Sequence, residues 1–150
     1  MPSNRALAAA FPASYAVHLL EEALVGGGFP AWLGAHAGAD VSWPEFLLLN
    51  AAGMAVMVGV ATGIWRDRIP RLGLAALGTI TVVNGALHLG GSILTASYSP
   101  GVVSGTLVWL PLGATALRQA ASGRIDRPVL LGVLLGLIGH SAISLAALRL

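Results

Sequence analysis

The chain contains no cysteine and no lysine. The absence of cysteine excludes disulfide bonds, thiolate metal ligands and cysteine nucleophiles, and it leaves the redox compartment undecided. Charge is scarce as well, because charged residues make up 9% of the chain, against about 25% in soluble domains. The arginines form no cluster interleaved with aromatic residues, so the sequence does not predict a nucleic-acid partner.

Apolar sequence, in contrast, is abundant: 56% of the residues are hydrophobic, and the mean hydropathy is +0.82. This composition is typical of an integral membrane protein, whose spanning helices need about 20 apolar residues each. Apolar runs separated by turn residues predict an all-α bundle of about five transmembrane helices, forming a single domain over residues 1–150. Pro111 is expected to kink the fourth helix. The predicted helices are 6–26, 45–65, 72–95, 102–121 and 128–148.

The distribution of arginine predicts the orientation of this bundle. The segments 65–71 and 118–128 each hold three arginines, and Arg5 precedes the first helix, whereas the segments 27–44 and 96–101 hold none. Since arginine is enriched in cytoplasmic loops, we expect the N-terminus inside and the C-terminus outside. The arginine-rich, lysine-free composition favours a bacterial protein, so the expected location is the bacterial cytoplasmic membrane, with the lipid bilayer as a partner.

The stretch "YAVHLLEEALV" (15–25) places ionisable residues inside the first predicted helix. Ionisable side chains at membrane depth are costly and indicate a functional site by default. Glu21 and Glu22 follow His18 by three and four residues, so both lie near its face of the helix. We therefore expect one imidazole and two carboxylates to face one cavity.

Polar residues in the other helices fall at a similar depth. At a rise of about 1.5 Å per residue, they converge on one layer in the outer half of the membrane. This convergence predicts a site built from several helices. The residues are Asn50 in the second helix, Asn84 and His88 in the third, and His140 in the fifth; Ser144, one turn beyond His140, and Trp109 in the fourth helix are further candidates to contact a substrate.

The stretch His18-Leu-Leu-Glu21-Glu22 resembles the signature of the HXXEE family, small bacterial membrane proteins named for that motif. The resemblance implies that these three residues belong to the site, and it implies no particular reaction. Separately, the spacing of His18 and Glu22 is similar to that in emopamil-binding sterol isomerases, which implies proton transfer in a lipid without a metal. Further segments that carry the HXXEE resemblance are "GFPAWL" (28–33), Asn50, "NGALH" (84–88), "YSPG" (98–101) and His140.

A metal site is the leading interpretation. Three imidazoles and a carboxylate suit zinc, with iron as the second choice, and the predicted ligands are His18, Glu22, His88 and His140. Metal-activated water would then attack an ester, amide or epoxide of a hydrophobic substrate. Glu22 is the expected ligand, because the i, i+4 spacing aligns it best with His18, and Glu21 is expected either as general base or as a residue that orients the ligands. The residues expected to orient ligands or contact substrate are Asn50, Asn84, Ser144 and Trp109.

Two other interpretations stay open at the level of sequence. In the first, the His/Glu set performs metal-free acid–base catalysis as an isomerase or cyclase of an isoprenoid or sterol-like substrate. In the second, the protein is not an enzyme, and the cluster binds a cation, a proton or haem. The hydrophobic substrate is common to both enzymatic interpretations, and the oligomeric state is left open.

Overall fold

The computed structural model describes residues 2–149, and every regular element in that range is helical. The π-helical turn joins α5 to α6, so residues 102–121 form one continuous helical rod. A helix is present at each of the five predicted positions, and its ends differ from the prediction by at most two residues. The elements are α1 (Asn4–Leu24), α2 (Phe29–Ala37), α3 (Trp43–Trp65), α4 (Pro70–Thr95), α5 (Val102–Ser104), the π-helical turn Gly105–Trp109, α6 (Leu110–Ala121) and α7 (Arg127–Ala147).

Local sequence signals fix where the helices begin. The side chain of Ser3 accepts a hydrogen bond from the backbone of Ala6 and caps α1. Ser42 and Glu45 form a reciprocal capping box at the start of α3, which satisfies backbone donors that the first turn leaves free. Helices α3, α4 and α7 each have a proline in the first turn, where the missing N–H costs nothing.

The segment 27–44, which the sequence predicts as a loop, contains the helix α2. Pro30 lies in the first turn of α2, so this proline starts a helix instead of breaking one. Gly28 before the helix has φ +90°, and Gly38 after it has φ +68°, and these conformations favour glycine. Nine residues are too few for a periodic pattern, which explains why the sequence does not reveal α2.

Helix α4 is the centre of the bundle and contacts α1, α3, α6 and α7. Glycine permits close approach between these helices: a Cβ atom at Gly136 of α7 would lie 2.6 Å from the carbonyl oxygen of Ala76 in α4. Such close backbone packing is typical of helices in membranes. The main apolar core lies in the half of the bundle that holds the start of α1, and includes Phe11, Leu74 and Leu77.

The arginine-rich segments lie at one end of the bundle. Arg71 forms an ion pair with Asp126 and donates hydrogen bonds to the carbonyl oxygens of Ala120 and Arg124. At the same end, the guanidinium of Arg5 lies 5.9 Å from the ring centre of Trp65. The structure therefore brings the loops between α3 and α4 and between α6 and α7 to the side where the chain begins.

Three helices, α3, α4 and α7, are long and apolar enough to cross a membrane. Their outer faces are covered with exposed aliphatic side chains, such as Leu48 on α3 and Leu130 and Leu134 on α7. Helix α1 is not among these three, and it carries Arg5, His18 and the glutamate pair. The chain is therefore an all-helical protein with three membrane-capable helices.

Candidate metal centre

The carboxylate of Glu22 lies between two imidazoles at the far end of the bundle from the arginines. Its Oε1 atom is 3.5 Å from Nε2 of His18 and 3.2 Å from Nε2 of His88. His18 and Glu22 are one helical turn apart on α1, and His88 reaches them from α4. All three side chains are buried, and one ligand atom of each lies within 4.8 Å of the others.

Two serines hold the opposite edges of the imidazole rings. Nδ1 of His18 is 2.7 Å from Oγ of Ser104, and Nδ1 of His88 is 3.1 Å from Oγ of Ser99. Each ring therefore has its Nδ1 engaged and its Nε2 directed at Glu22. A partner on the second ring nitrogen fixes the orientation of a histidine, and it is a regular feature of metal-ligating histidines.

Gly101 allows the chain between these serines to pass against both rings. Its φ is +98°, and a Cβ atom at this position would lie 2.8 Å from Cε1 of His18 and 2.8 Å from Cε1 of His88. An alanine is therefore disfavoured by the backbone conformation and by contact with two buried rings. The segment 99–104 fits around the imidazoles only because this residue is glycine.

Trp109 covers the other face of His18. The two rings are stacked, with centres 4.0 Å apart and planes at 26°. Trp109 ends the π-helical turn, in which the N–H of Leu110 bonds to the carbonyl oxygen of Gly105. Single π-helical turns are frequent at functional sites, and this one ends two residues before Pro111.

Glu21 lies outside this cluster, and the expectation that both glutamates face one cavity is not met. Its carboxylate accepts hydrogen bonds from the N–H groups of Gly101 (3.2 Å), Val103 (2.9 Å) and Ser104 (2.7 Å), and from the hydroxyl of Tyr98 (2.5 Å). Free N–H groups at a helix N-terminus attract a carboxylate, so the start of α5 binds Glu21 and draws it to the other side of α1.

Tyr98 completes this arrangement. Burial and the hydrogen bond to Glu21 raise the pKa of the Tyr98 hydroxyl to about 12, so the group stays protonated and donates to the carboxylate. Glu21 thereby fixes the segment that carries Ser99, Gly101 and Ser104. Its hydrogen bonds position the residues that hold the two imidazoles, which corresponds to the second of the two roles that the sequence predicts for Glu21.

A cavity of about 580 Å³ opens beside the Glu22 cluster. Its walls come mainly from α1, α2, α3, α4 and α7 and are largely apolar. Of the nine site residues expected from the sequence, eight line this cavity and Glu21 does not. The eight are His18, Glu22, Asn50, Asn84, His88, Trp109, His140 and Ser144.

Some of these eight have partners that fix them. Asn50 accepts a hydrogen bond from the Tyr15 hydroxyl at 2.8 Å and donates one to the carbonyl oxygen of Phe46 at 3.0 Å. Nδ1 of His140 lies 3.2 Å from Oγ of Ser144. His140 lines the cavity but does not belong to the close cluster of His18, Glu22 and His88, so the structure brings together three of the four expected ligands.

Residues 98–104 make contacts in the centre that the sequence does not predict. Ser99, Gly101 and Ser104 contact the imidazoles, and Tyr98 contacts Glu21. The sequence identifies "YSPG" (98–101) only as a turn and as one of the segments that carry the family resemblance. A serine in an apolar chain is ordinarily a packing residue, so its partnership with a histidine on another helix has no signal in one sequence.

A known protein family matches much of this chain. A family described as "Protein of unknown function with HXXEE motif" matches residues 9–116, which is more than two thirds of the chain. The chain belongs to the HXXEE family. The matched range includes the motif itself, the turn at 98–104 and His88, whereas His140 and Ser144 lie beyond it.

The HXXEE motif now has a geometric interpretation in this chain. Its histidine and second glutamate meet His88, and its first glutamate binds the backbone at the start of α5. No curated protein and no solved structure matches the chain. The similarity to emopamil-binding sterol isomerases therefore has no support from these comparisons, and the family description supplies no reaction.

Proposed function

We propose that this HXXEE protein is an integral membrane metalloenzyme that acts on a hydrophobic molecule. The observation that carries the proposal is the convergence of two Nε2 atoms on the carboxylate of Glu22, with a serine at each Nδ1. Two histidines and one glutamate are a known ligand set of catalytic zinc, which keeps a fourth position for water or substrate. Zinc is the first choice, and iron the second.

Two of the three separations between the proposed ligand atoms match those around a tetrahedral ion. Two ligands of zinc, each about 2.0–2.1 Å from the metal, lie about 3.4 Å apart when the geometry is tetrahedral. The separations from Glu22 Oε1 to Nε2 of His18 and His88 are 3.5 and 3.2 Å. Nε2 of His18 is also buried without a hydrogen-bond partner, as a ligand atom directed at an ion would be.

The proposed reaction is hydrolysis of an ester, amide or epoxide in a membrane-soluble molecule. A bound zinc ion lowers the pKa of water to near neutrality and polarises the bond under attack. His140 faces the same cavity outside the ligand cluster, so it is the candidate to accept a proton from the attacking water. Tyr15 is less suited to this role because its hydroxyl is engaged by Asn50.

Elemental analysis of protein purified without chelator or nickel tests the proposal. About one divalent metal ion per chain is expected in the wild type, and His88→Ala should lose it. The matched control is His36→Ala, because His36 is an exposed histidine on α2 and this variant should keep the metal. A folded wild-type protein without stoichiometric metal would refute the proposal, and an absorption spectrum of the same sample would reveal haem.

The second candidate is metal-free acid–base catalysis, as an isomerase or cyclase of an isoprenoid or sterol-like molecule. One observation favours it: Nε2 of His88 is 3.2 Å from Oε1 of Glu22, which is within hydrogen-bonding distance. A proton shared between these atoms would give the site an acid and a base without an ion. Absence of metal from active protein would select this candidate.

The proposed setting is the bacterial cytoplasmic membrane, with five spans. In addition to the three membrane-capable helices, α1 and the rod 102–121 would cross, since about 20 helical residues extend about 30 Å. The arginine-rich end would be cytoplasmic, with the N-terminus inside and the C-terminus outside. Reporter fusions after Arg68 and Arg124 should both report the cytoplasm, and a periplasmic signal from either would contradict this topology.

A further inference from the structure

Besides Nε2 of His18, two buried polar atoms of residues that line the cavity have no hydrogen-bond partner among residues 2–149. They are Nε1 of Trp109, a donor, and Oδ1 of Asn84, an acceptor. Trp109 is only 2% exposed, so water does not readily reach its N–H group. A buried polar atom without a partner costs about 1–3 kcal/mol, and a ligand that pairs with it removes this cost.

The charges around the cavity restrict the ligand further. Among the described residues that line it, Glu22 is the only acid, and none is an arginine. Arg5 and the arginines of the segments 65–71 and 118–128 lie at the opposite end of the bundle, whereas Arg149 follows Leu148, which lines the cavity. An anionic head group would therefore meet the Glu22 carboxylate, and among the described lining residues His18 and His88 already contact that carboxylate, which leaves only His140 to offset the added charge. The walls suit an apolar chain with an uncharged end.

We propose that the cavity binds an uncharged amphiphile whose polar end both accepts and donates one hydrogen bond. The polar end accepts from Nε1 of Trp109 and donates to Oδ1 of Asn84, while the apolar chain lies against residues such as Met57 and Leu77. Amides and alcohols have this pair of groups, whereas a simple ester has no donor. The assignment of this molecule as a substrate rests on the proposed function, but its binding does not.

Amides and alcohols carry a hydrogen-bond donor and esters carry none, and this difference allows a direct test. Purified protein in detergent is titrated with four probes that share one chain length: N-methyldodecanamide, dodecanol, methyl dodecanoate and dodecanoate. Thermal unfolding gives an apparent Kd for each. The amide or the alcohol should bind about tenfold more tightly than the ester, because the ester leaves Asn84 unpaired. Whichever of the two binds more tightly identifies the head group.

Variants assign the preference to the two residues. Asn84→Leu should bring the ratio of amide to ester affinity to about one, and Asn84→Ala is the substitute if the leucine variant does not fold. Asn50→Leu is the matched control, because Asn50 lines the same cavity but is already paired with Tyr15 and Phe46; it should keep the tenfold ratio. Trp109→Phe should weaken binding of amide, alcohol and ester alike.

The titration is repeated after chelation, so that this inference and the metal proposal can fail separately. The preference should survive chelation, since Trp109 and Asn84 carry it. Equal binding of amide, alcohol and ester by the wild type would overturn the inference. The inference would also be overturned if the Asn84 variants kept the ratio of amide to ester affinity. It would be overturned as well if the chelated protein bound dodecanoate most tightly.

Discussion

The carboxylate of Glu22 on α1 lies 3.2 Å from Nε2 of His88 on α4. This contact joins the HXXEE motif to the central helix of the bundle, and Gly101 packs against the imidazole of His88. Because both side chains are buried, their protonation and any bound ion depend on each other. The pair is therefore the point at which the proposed function is most sensitive to substitution.

The two adjacent glutamates should give opposite results. Glu22→Gln is expected to abolish metal binding, because a neutral amide replaces the charged ligand between His18 and His88. Glu21→Gln should keep the metal but lower the free energy of unfolding by about 1–2 kcal/mol, since it weakens charge-assisted hydrogen bonds to the start of α5. Metal content and melting temperature measured on both variants check this. Loss of metal only in Glu21→Gln would exchange the roles.

The serines at the imidazole rings should tune metal affinity. Ser104→Ala and Ser99→Ala remove the partners of Nδ1 in His18 and His88, and each is expected to weaken metal binding by about 10–100-fold. Competition with a chelator of known affinity measures this. Ser14→Ala is the control, because Ser14 is buried on α1 and bonds only to the carbonyl oxygen of Phe11. Equal affinity in all three variants would refute the assigned role.

Gly101→Ala should damage both the fold and the site. A Cβ atom there meets both imidazoles, and the positive φ adds backbone strain. We expect a loss of more than about 1 kcal/mol in the free energy of unfolding together with loss of metal. Gly27→Ala separates the two effects, because Gly27 has φ +84° but no atom within 4 Å of the added Cβ. That control should lose some stability and keep its metal.

The ion pair at the arginine-rich end predicts a dependence of stability on pH. Partial burial alone would raise the pKa of Asp126, but the hydrogen bond and charge of Arg71 outweigh it and hold the pKa below its usual value. The stabilisation is therefore present above the unfolded pKa of about 4 and is lost as pH falls through the lower folded value. Asp126→Asn should lower the melting temperature near neutral pH.

In acid, the difference between this variant and the wild type should disappear, because the wild-type carboxyl is then protonated too. Melting curves recorded from neutral to strongly acidic pH measure the difference. Asp40→Asn is the control, since Asp40 lies at the other end of the bundle. A difference that does not shrink on acidification would show that Arg71 does not stabilise the charged form.

Much of the fold follows from local patterns in the sequence. Proline and glycine mark the helix boundaries, and apolar runs of about 20 residues define the long helices. The arginine distribution correctly predicts that the loop between α3 and α4 and the loop between α6 and α7 lie at one end, where Arg71 pairs with Asp126. The sequence does not reveal α2, because a proline such as Pro30 can either end a helix or occupy its first turn. Only the position of Gly28 before it distinguishes a helix start from a helix end.

The sequence by itself determined which residues are candidates for the site, because ionisable and amide side chains are rare in this chain and costly in an apolar setting. It predicts that His18, Glu22, His88 and Asn84 belong to one site. The tertiary structure alone decided how the two glutamates divide. Three and four residues after His18 are nearly equivalent positions on a helix, so the choice depends on what stands opposite. Backbone donors at the start of α5 bind Glu21, and two imidazoles surround Glu22.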